Sequence, residues 1–327
     1  MTGDEQWLTV EELAEYLKFG KTKIYAMAQR GEIPVSKIGN QWRFHRGEID
    51  EWLKSSMNRA YVHGSSRSES QRLTDQARTL CELLHHDTAY ADGASVLEAG
   101  CGVGAQTVTL ASSSPGASLT CVDIAIDYLD EARRRVEEAG LRNVSFLQAD
   151  LNDLPFEDGR FDHVFFCFVL EHLPNPLAVL RRLRRVLKPG GTITAIEGDH
   201  DSTLMVPDNA DSYQAVECLI ELQARSGGDA RIGRKLYPLL IEAGFAGVRV
   251  SPRMVYVDAT RPELIDGFTE KTFTAMVGGV REDALREGLM TAEAFDRGIE
   301  GLRRTKEPDG VFCYTFFKAV GINADRE

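Results

Sequence analysis

The stretch that decides the fold is Ser95-Val96-Leu97-Glu98-Ala99-Gly100-Cys101-Gly102-Val103-Gly104. Ser95 to Ala99 reads as a short buried strand, and it passes directly into three glycines at alternate positions, with a helix starting near Ala105. Glycines at such a turn let backbone amides at a helix N-terminus approach a ligand closely. A second strand, Leu119-Thr120-Cys121-Val122, ends in Asp123, 25 residues after Glu98. An acid so placed can take both ribose hydroxyls of a bound nucleoside.

Three further pieces follow in order. Val144 to Gln148 is a third strand ending in Ala149-Asp150-Leu151. Phe161 to Phe168 is a fourth, leading into Val169-Leu170-Glu171-His172. Leu187-Lys188-Pro189-Gly190-Gly191 turns into a fifth, Thr192 to Glu197. Strands alternating with helices predict a parallel, doubly wound α/β sheet. Gly247 to Val257 and Val311 to Val320 also read as strands. Between these lie two insertions, near 199–226 and 258–310, that fall over the carboxyl edge where ligands bind in such sheets. The first has Ala215, Leu219 and Leu222 at helical spacing, and the second is long enough for two helices, so both read as helical lids.

The chain has 327 residues, enough for about two domains. With 43% hydrophobic and 27% charged residues it has the balance of an ordinary globular protein. No run reaches the ~18 apolar residues of a membrane helix, and the acidic N-terminus is unlike a signal peptide, so a cytoplasmic protein with no membrane partner is expected. Six scattered cysteines without a C-x-x-C pair imply neither a disulfide framework nor a zinc site. Cys101, Cys121 and Cys167 read as small core residues.

Charge divides unevenly. Residues 1–60 hold nine Lys/Arg and nine Asp/Glu, so the rest of the chain carries the whole net charge of -12. Positions 18–46 contain seven basic residues and one acid, Glu32, the footprint of a small nucleic-acid-binding module. Thr9 and Glu12 form a capping box for a first helix from Val10 to Lys18. Thr22 is placed to cap a second helix that runs to Arg30 and stops at Gly31. Ile33 to Phe44 carries a hairpin pattern through Gly39-Asn40, and a third helix follows from Arg46 to Leu53. Residues 1–56 are therefore one domain, 57–72 a serine-rich linker and entry segment, and 73–327 the second domain. A helix from Glu69 to His86 joins them.

Leu8 to Leu53 resembles the excisionase or MerR-like winged helix-turn-helix family in its Ile24-Tyr25 helix, Arg30-Gly31-Glu32-Ile33-Pro34, Trp42-Arg43-Phe44 and Ile49-Asp50-Glu51-Trp52-Leu53. The resemblance implies DNA as partner, with Lys21, Thr22, Lys23 and Tyr25 facing the major groove and Lys37 and Arg43 holding phosphates. One copy offers few phosphate contacts, so tight operator binding calls for a homodimer or a second protein.

Tyr61 to Lys318 resembles class I S-adenosylmethionine-dependent methyltransferases, nearest the branch of ubiquinone and menaquinone biosynthesis. The resemblance implies a seven-stranded Rossmann-like sheet whose last two strands are an antiparallel pair, with S-adenosyl-L-methionine as cofactor. By it, Gly100, Gly102 and Gly104 leave room for the methionine moiety, and Glu98 orients the loop from below. Asp123 takes the ribose, Ile124 packs on adenine, Asp150 accepts from the adenine amino group beside the Leu151 amide, and Phe168 lines the pocket.

Methyl transfer is an in-line displacement that needs alignment and, for a hydroxyl or thiol, removal of a proton. Glu171, His172 and His200 at the carboxyl edge, with His63 from the entry segment, are the candidate catalytic residues, and no metal is expected. His172 also reads as a helix cap, and Arg253, Tyr256, Tyr314 and Phe316 as buried strand residues. Phe168-Val169-Leu170-Glu171 lacks the Asn/Asp-Pro-Pro-aromatic run that holds a flipped base. Two functions fit: a methyltransferase acting on a small-molecule acceptor and tethered to a DNA-binding module, or a transcription regulator whose methyltransferase fold senses S-adenosylmethionine or a metabolite.

Overall fold

A computed structural model of the chain describes residues 7–17, 20–30, 33–39, 41–50, 52 and 67–324. The chain divides into two units, Met1–Gly64 and Ser65–Glu327.

In the first unit β1 (Trp7–Leu8) leads into α1 (Val10–Leu17). The capping box forms as expected: the Thr9 amide donates to Glu12 Oε2 at 2.8 Å, and the Glu12 amide to Thr9 Oγ1 at 3.2 Å. α2 (Lys21–Arg30), β2 (Ser36–Ile38), β3 (Gln41–His45) and a helical turn α3 at 46–50 follow. The sheet order is β1-β3-β2, with both pairs antiparallel. β1 is a strand that the sequence pattern does not announce. Leu13, Ile24, Phe44 and Ile49 are fully buried together, each contributing about 1.5–3 kcal/mol of apolar burial. Thr22 is not the cap of α2. The Ile24 amide already bonds the Gly20 carbonyl at 3.2 Å, so the helix starts at Lys21, two residues earlier than a Thr22 cap would set it, and Thr22 lies inside it.

The second unit opens with α4 (Arg67–His85), which matches the helix expected from Glu69 to His86 and starts two residues earlier. Nothing stops it there, since no Gly or Pro interrupts 65–86. β4 (Ser95–Ala99), α5 (Thr107–Ser113), β5 (Ser118–Asp123), α6 (Ile126–Glu138), β6 (Val144–Gln148) and β7 (Phe161–Cys167) then alternate. A 3₁₀ turn, Leu170–His172, precedes α7 (Pro176–Val186) and β8 (Leu187–Val206). α8 (Ala210–Arg225), a second 3₁₀ turn Ile232–Lys235, α9 (Leu236–Glu242) and β9 (Ala246–Val257) come next. α10 (Pro262–Leu264) continues through a π-helical segment, Ile265–Thr274, into α11 (Ala275–Gly279). α12 (Arg281–Arg286), α13 (Ala292–Arg304) and β10 (Val311–Ile322) are the last elements described.

The seven-stranded sheet has the order β6-β5-β4-β7-β8-β10-β9. β4 to β8 pair in parallel, and β10 is antiparallel to both β8 and β9. The order reverses between β4 and β7, which opens a crevice at their carboxyl ends. Leu97, Phe166, Ile193 and Ala195 bury one sheet face against Leu180 and Leu183 of α7 and Leu240 of α9.

Two corrections concern the insertions. Asp199 to Val206 is not lid. It extends β8 and pairs with β10, Val206 opposite Val311 and Met205 opposite Phe312. The second insertion holds more helices than two, because short turns at Val280 and Met290 break it repeatedly.

Candidate active site

The glycine loop is set by backbone conformation. Gly100, Gly102 and Gly104 have φ of 72°, 51° and 76°, a region that side-chain-bearing residues rarely adopt. A Cβ on Gly100 would stand 2.7 Å from Val169, and one on Gly104 2.8 Å from Ala132, whereas one on Gly102 would meet nothing within 4 Å. The outer two glycines thus admit protein, and the middle one faces open space.

Asp123 closes the loop from β5. Its Oδ2 accepts from the Gly102 amide at 2.8 Å and its Oδ1 from the Ala125 amide at 2.9 Å. The Ile124 amide also bears on this carboxylate, which keeps capacity for a further donor. Burial raises its pKa while these amides lower it. Ile124 is 49% exposed, an apolar side chain left in the open beside this acid. Asp150 is exposed and its Oδ1 accepts from the Asn152 amide and side chain at 2.8 and 3.1 Å, while Leu151 is buried.

Glu98 does not touch the loop amides. Gly100 and Cys101 donate to the Val122 carbonyl instead. Glu98 Oε2 accepts from Thr107 Oγ1 at 2.7 Å and from the Cys121 thiol at 3.2 Å, so it ties the first turn of α5 to β5 beneath the loop. Burial pushes its carboxyl up to about 7. Cys121 is therefore more than filler, Cys101 is buried beside it, and Cys167 is only half-buried. Burial raises all three thiols well above their ordinary range.

Phe168 follows β7 directly at φ 60°, a strained setting for a residue with a Cβ, and its amide donates to the Ile196 carbonyl at 2.9 Å. The chain then turns sharply, so that Val169 covers Gly100 and Glu171 points inward. Glu197 holds this turn: its Oε1 accepts from the Val169 and Leu170 amides at 3.0 and 2.7 Å. Burial, and then the neighbouring Glu171, push Glu197 well above the usual carboxylate range.

Glu171, His172 and His200 are brought together. His172 Nε2 lies 3.6 Å from Glu171 Oε1, and His200 Nε2 lies 4.0 Å from Glu171 Oε2. Gln223 Nε2 of α8 donates to the Glu171 carbonyl at 3.0 Å and to Oε2 at 3.3 Å. His63 and Tyr61 lie outside the described residues. Asp199 and Asp201, flanking His200, are ion-paired: Arg234 reaches Asp199 through two bonds of 2.6 and 2.8 Å, and Arg231 lies 3.3 Å from Asp201.

Tyr314 and Phe316 are buried strand residues as expected, but sequence reasoning did not place the Tyr314 Oη 2.6 Å from His200 Nδ1. It also missed the ring cluster of Phe268, Phe273, Phe312, Tyr314 and Phe316, all buried around that pair. The pattern of alternate aromatics in Phe312-x-Tyr314-x-Phe316 was the available signal, since period two puts all three on one face. Arg253 is the structural residue expected, pairing with Asp87 at 2.5 Å, but Tyr256 is exposed rather than buried.

In the first unit, Tyr25 of α2 is exposed. Lys21 pairs with Glu11 at 3.2 Å on the surface. Lys37 sits 5.2 Å above the Trp42 ring, and Arg43 donates to the Trp42 carbonyl at 3.0 Å. The side chains of Thr22 and Lys23 lie outside those described.

A nucleotide-type glycine turn, an acid ending the next strand and this strand order define a Rossmann-like sheet of the methyltransferase kind. Residues 96–191 match a family model described as methyltransferase domain, and residues 7–57 one described as helix-turn-helix domain; the chain carries both domains. An uncharacterised 37.1 kDa protein of transposon Tn4556 from Streptomyces fradiae is 34% identical over 70% of this chain and 63% of its own length. Demethylmenaquinone methyltransferase of Lactococcus lactis is 38% identical over 33% of this chain and 43% of its own length. The chain thus spans about half the length of these curated relatives. Among solved structures, the YcgJ protein of Bacillus subtilis is 17% identical at a TM-score of 0.48, over 76% of this chain and 99% of its own. Among the described residues no helix is long and apolar enough to cross a membrane.

Proposed function

We propose that the second unit is an S-adenosylmethionine-dependent methyltransferase acting on a small molecule, in a chain whose first unit binds DNA. The observation that carries the reading is the loop of three left-handed glycines with its middle amide tied to Asp123. In this reading the space at Gly102 receives the methionine moiety, and Asp123 accepts from the ribose hydroxyls with its remaining lone pairs. Exposed Ile124 covers the adenine, Asp150 and the Leu151 amide read its edge, and Phe168 lines the wall. The bound cofactor supplies an electrophilic methyl group. Glu171, His172 and His200 then handle the proton of the acceptor, with His63 as a further candidate.

A small acceptor is supported by enclosure. Glu171 and His200 are both buried, beyond reach of a polymer backbone, and the acidic unit would repel phosphates. The naming of the Lactococcus relative for a small-molecule methylation agrees with this. Turnover is favoured over a purely sensory role by the buried Glu171, His200 and Tyr314, which cofactor binding alone does not need. For the first unit, a homodimer would supply the second set of phosphate contacts that one copy lacks.

Calorimetry with S-adenosylhomocysteine tests the reading. One site per chain is expected, and Asp123→Ala should weaken it by about 30-fold to 1000-fold through loss of two bonds to a charged acceptor. Unchanged affinity in that variant would end the assignment.

A further inference from the structure

Glu171, His200 and Tyr314 come from a 3₁₀ turn, β8 and β10, and His200 lies between the other two. The Tyr314 hydroxyl lies 2.6 Å from His200 Nδ1. With the ring neutral and Nδ1 as acceptor, the hydroxyl proton is directed to Nδ1. The imidazole's own proton is then on Nε2. Gly198 makes the arrangement possible, since a Cβ there would fall 2.3 Å from the Tyr314 oxygen.

His200 Nε2 is buried and has no hydrogen-bond partner. Burial, the largest influence on it, keeps the ring neutral, so Nε2 is a donor without an acceptor. It faces Glu171 Oε2 at 4.0 Å, too far to bond. An atom about 2.8 Å from both would subtend an angle of about 90°, near that of a hydroxyl oxygen accepting one hydrogen bond and donating another. A carbon or a thioether could not do both. Phe273 is centred 6.4 Å from the imidazole, and Phe268 and Phe316 pack against the Tyr314 ring that bonds it. Phe268 and Phe273 lie on the π-helical segment, a form found mostly at functional sites, where the buried hydroxyls of Thr269 and Thr274 also lack partners.

We propose that the acceptor is an aromatic alcohol whose hydroxyl binds between His200 Nε2–H and Glu171 Oε2, with Tyr314 as the positioning residue that sets the His200 tautomer. The inference rests on the methyltransferase reading above. In the transfer, a lone pair of the acceptor oxygen forms the bond to the methyl carbon as the carbon–sulfur bond breaks and its electron pair stays on sulfur. The hydroxyl proton passes to Glu171 Oε2. The products are an aryl methyl ether and S-adenosylhomocysteine, with no further reactant needed.

The test compares 2-naphthol with 2-methylnaphthalene, which has a methyl in place of the hydroxyl, on the full chain saturated with S-adenosylhomocysteine. Wild type should bind the naphthol at least about tenfold more tightly, the worth of two buried hydrogen bonds. Tyr314→Phe keeps the ring and should erase most of that ratio. Glu171→Gln should keep S-adenosylhomocysteine affinity but lower kcat for 2-naphthol methylation by about 100-fold, the usual scale of a general base, with little change in KM. A wild-type ratio near one, a ratio that survives Tyr314→Phe, or an unchanged kcat in Glu171→Gln overturns the proposal. Should Tyr314→Phe lose S-adenosylhomocysteine binding, His200→Asn reads the same ratio. Failure of wild type to bind S-adenosylhomocysteine at all is a separate result, and it removes the methyltransferase reading beneath.

Discussion

The Gly102 amide donates to Asp123 Oδ2 across 2.8 Å, so the middle of the glycine loop is fixed by the acid at the end of the neighbouring strand. The three glycines therefore have separable duties. Gly104→Ala would drive a Cβ to 2.8 Å from Ala132 in a left-handed backbone. It should cost about 2–4 kcal/mol of stability in urea denaturation, from strain and overpacking together. Gly102→Ala meets no protein atom and should cost only about 1–2 kcal/mol, the strain alone, yet suppress S-adenosylhomocysteine binding in calorimetry. The reverse ranking of stability would mean that the open side of Gly102 is filled by something other than ligand.

Glu98 makes stability depend on pH. Burial holds its carboxyl at about 7, above the ordinary 4.5. The folded state therefore keeps a proton that the unfolded chain has released. The stability this contributes is complete below 4.5 and is lost as pH rises through 7, a fall of about 3 kcal/mol at ~1.36 kcal/mol per unit. Glu98→Gln keeps the shape without the titration. The stability difference between wild type and variant should shift by that amount between pH 4.5 and pH 8 in denaturant titrations. A difference flat with pH would show an ionised Glu98 in the fold.

What was legible in the sequence is local. Gly100 to Gly104 and Asp123 announce the loop because only glycine tolerates those backbone angles, and Thr9 with Glu12 announces a helix start within four residues. The failures are long-range. Asp199 to Val206 reads as loop because the strand it pairs with, β10, lies more than 100 residues on, at Val311 and beyond. Tyr314 reads as a buried strand residue, but its pairing with His200 was hidden for the same reason, the two being 114 residues apart. Thr22 misled because a hydroxyl near a helix start suits a cap, while Gly20 offered a carbonyl two residues earlier.

Lys318 anchors the end of α4 to the sheet. Its side chain is buried on β10, and Nζ donates to Asp87 Oδ1 and Thr88 Oγ1, each at 2.5 Å. Lys318→Ala should lower stability by about 2–4 kcal/mol, from a lost stem and unpaired partners. Lys318→Met restores the stem and should recover about half of that in thermal denaturation. Equal losses in the two variants would assign the whole effect to the ammonium.

The hairpin of the first unit distinguishes two basic residues that the sequence treats alike. Lys37 is paired across the strands with Trp42, and Arg43 with Ser36. Cross-strand partners share a face and neighbours alternate, so Lys37 and Arg43 point to opposite sides. Arg43 acts electrostatically on Glu11 of α1, the residue that also pairs with Lys21 at the start of α2. Lys21 and Arg43 thus share a side with α2, while Lys37 lies over Trp42 on the other. If α2 enters the major groove, Lys21→Ala and Arg43→Ala should each reduce the salt slope of duplex binding by about one unit, and Lys37→Ala should leave it nearly unchanged. Glu11→Gln removes a negative charge from the same side and should tighten binding at low salt. Fluorescence anisotropy of the full chain on duplex DNA over a series of salt concentrations reads all four variants. A slope that falls only in Lys37→Ala would turn the DNA to the Trp42 face of the hairpin.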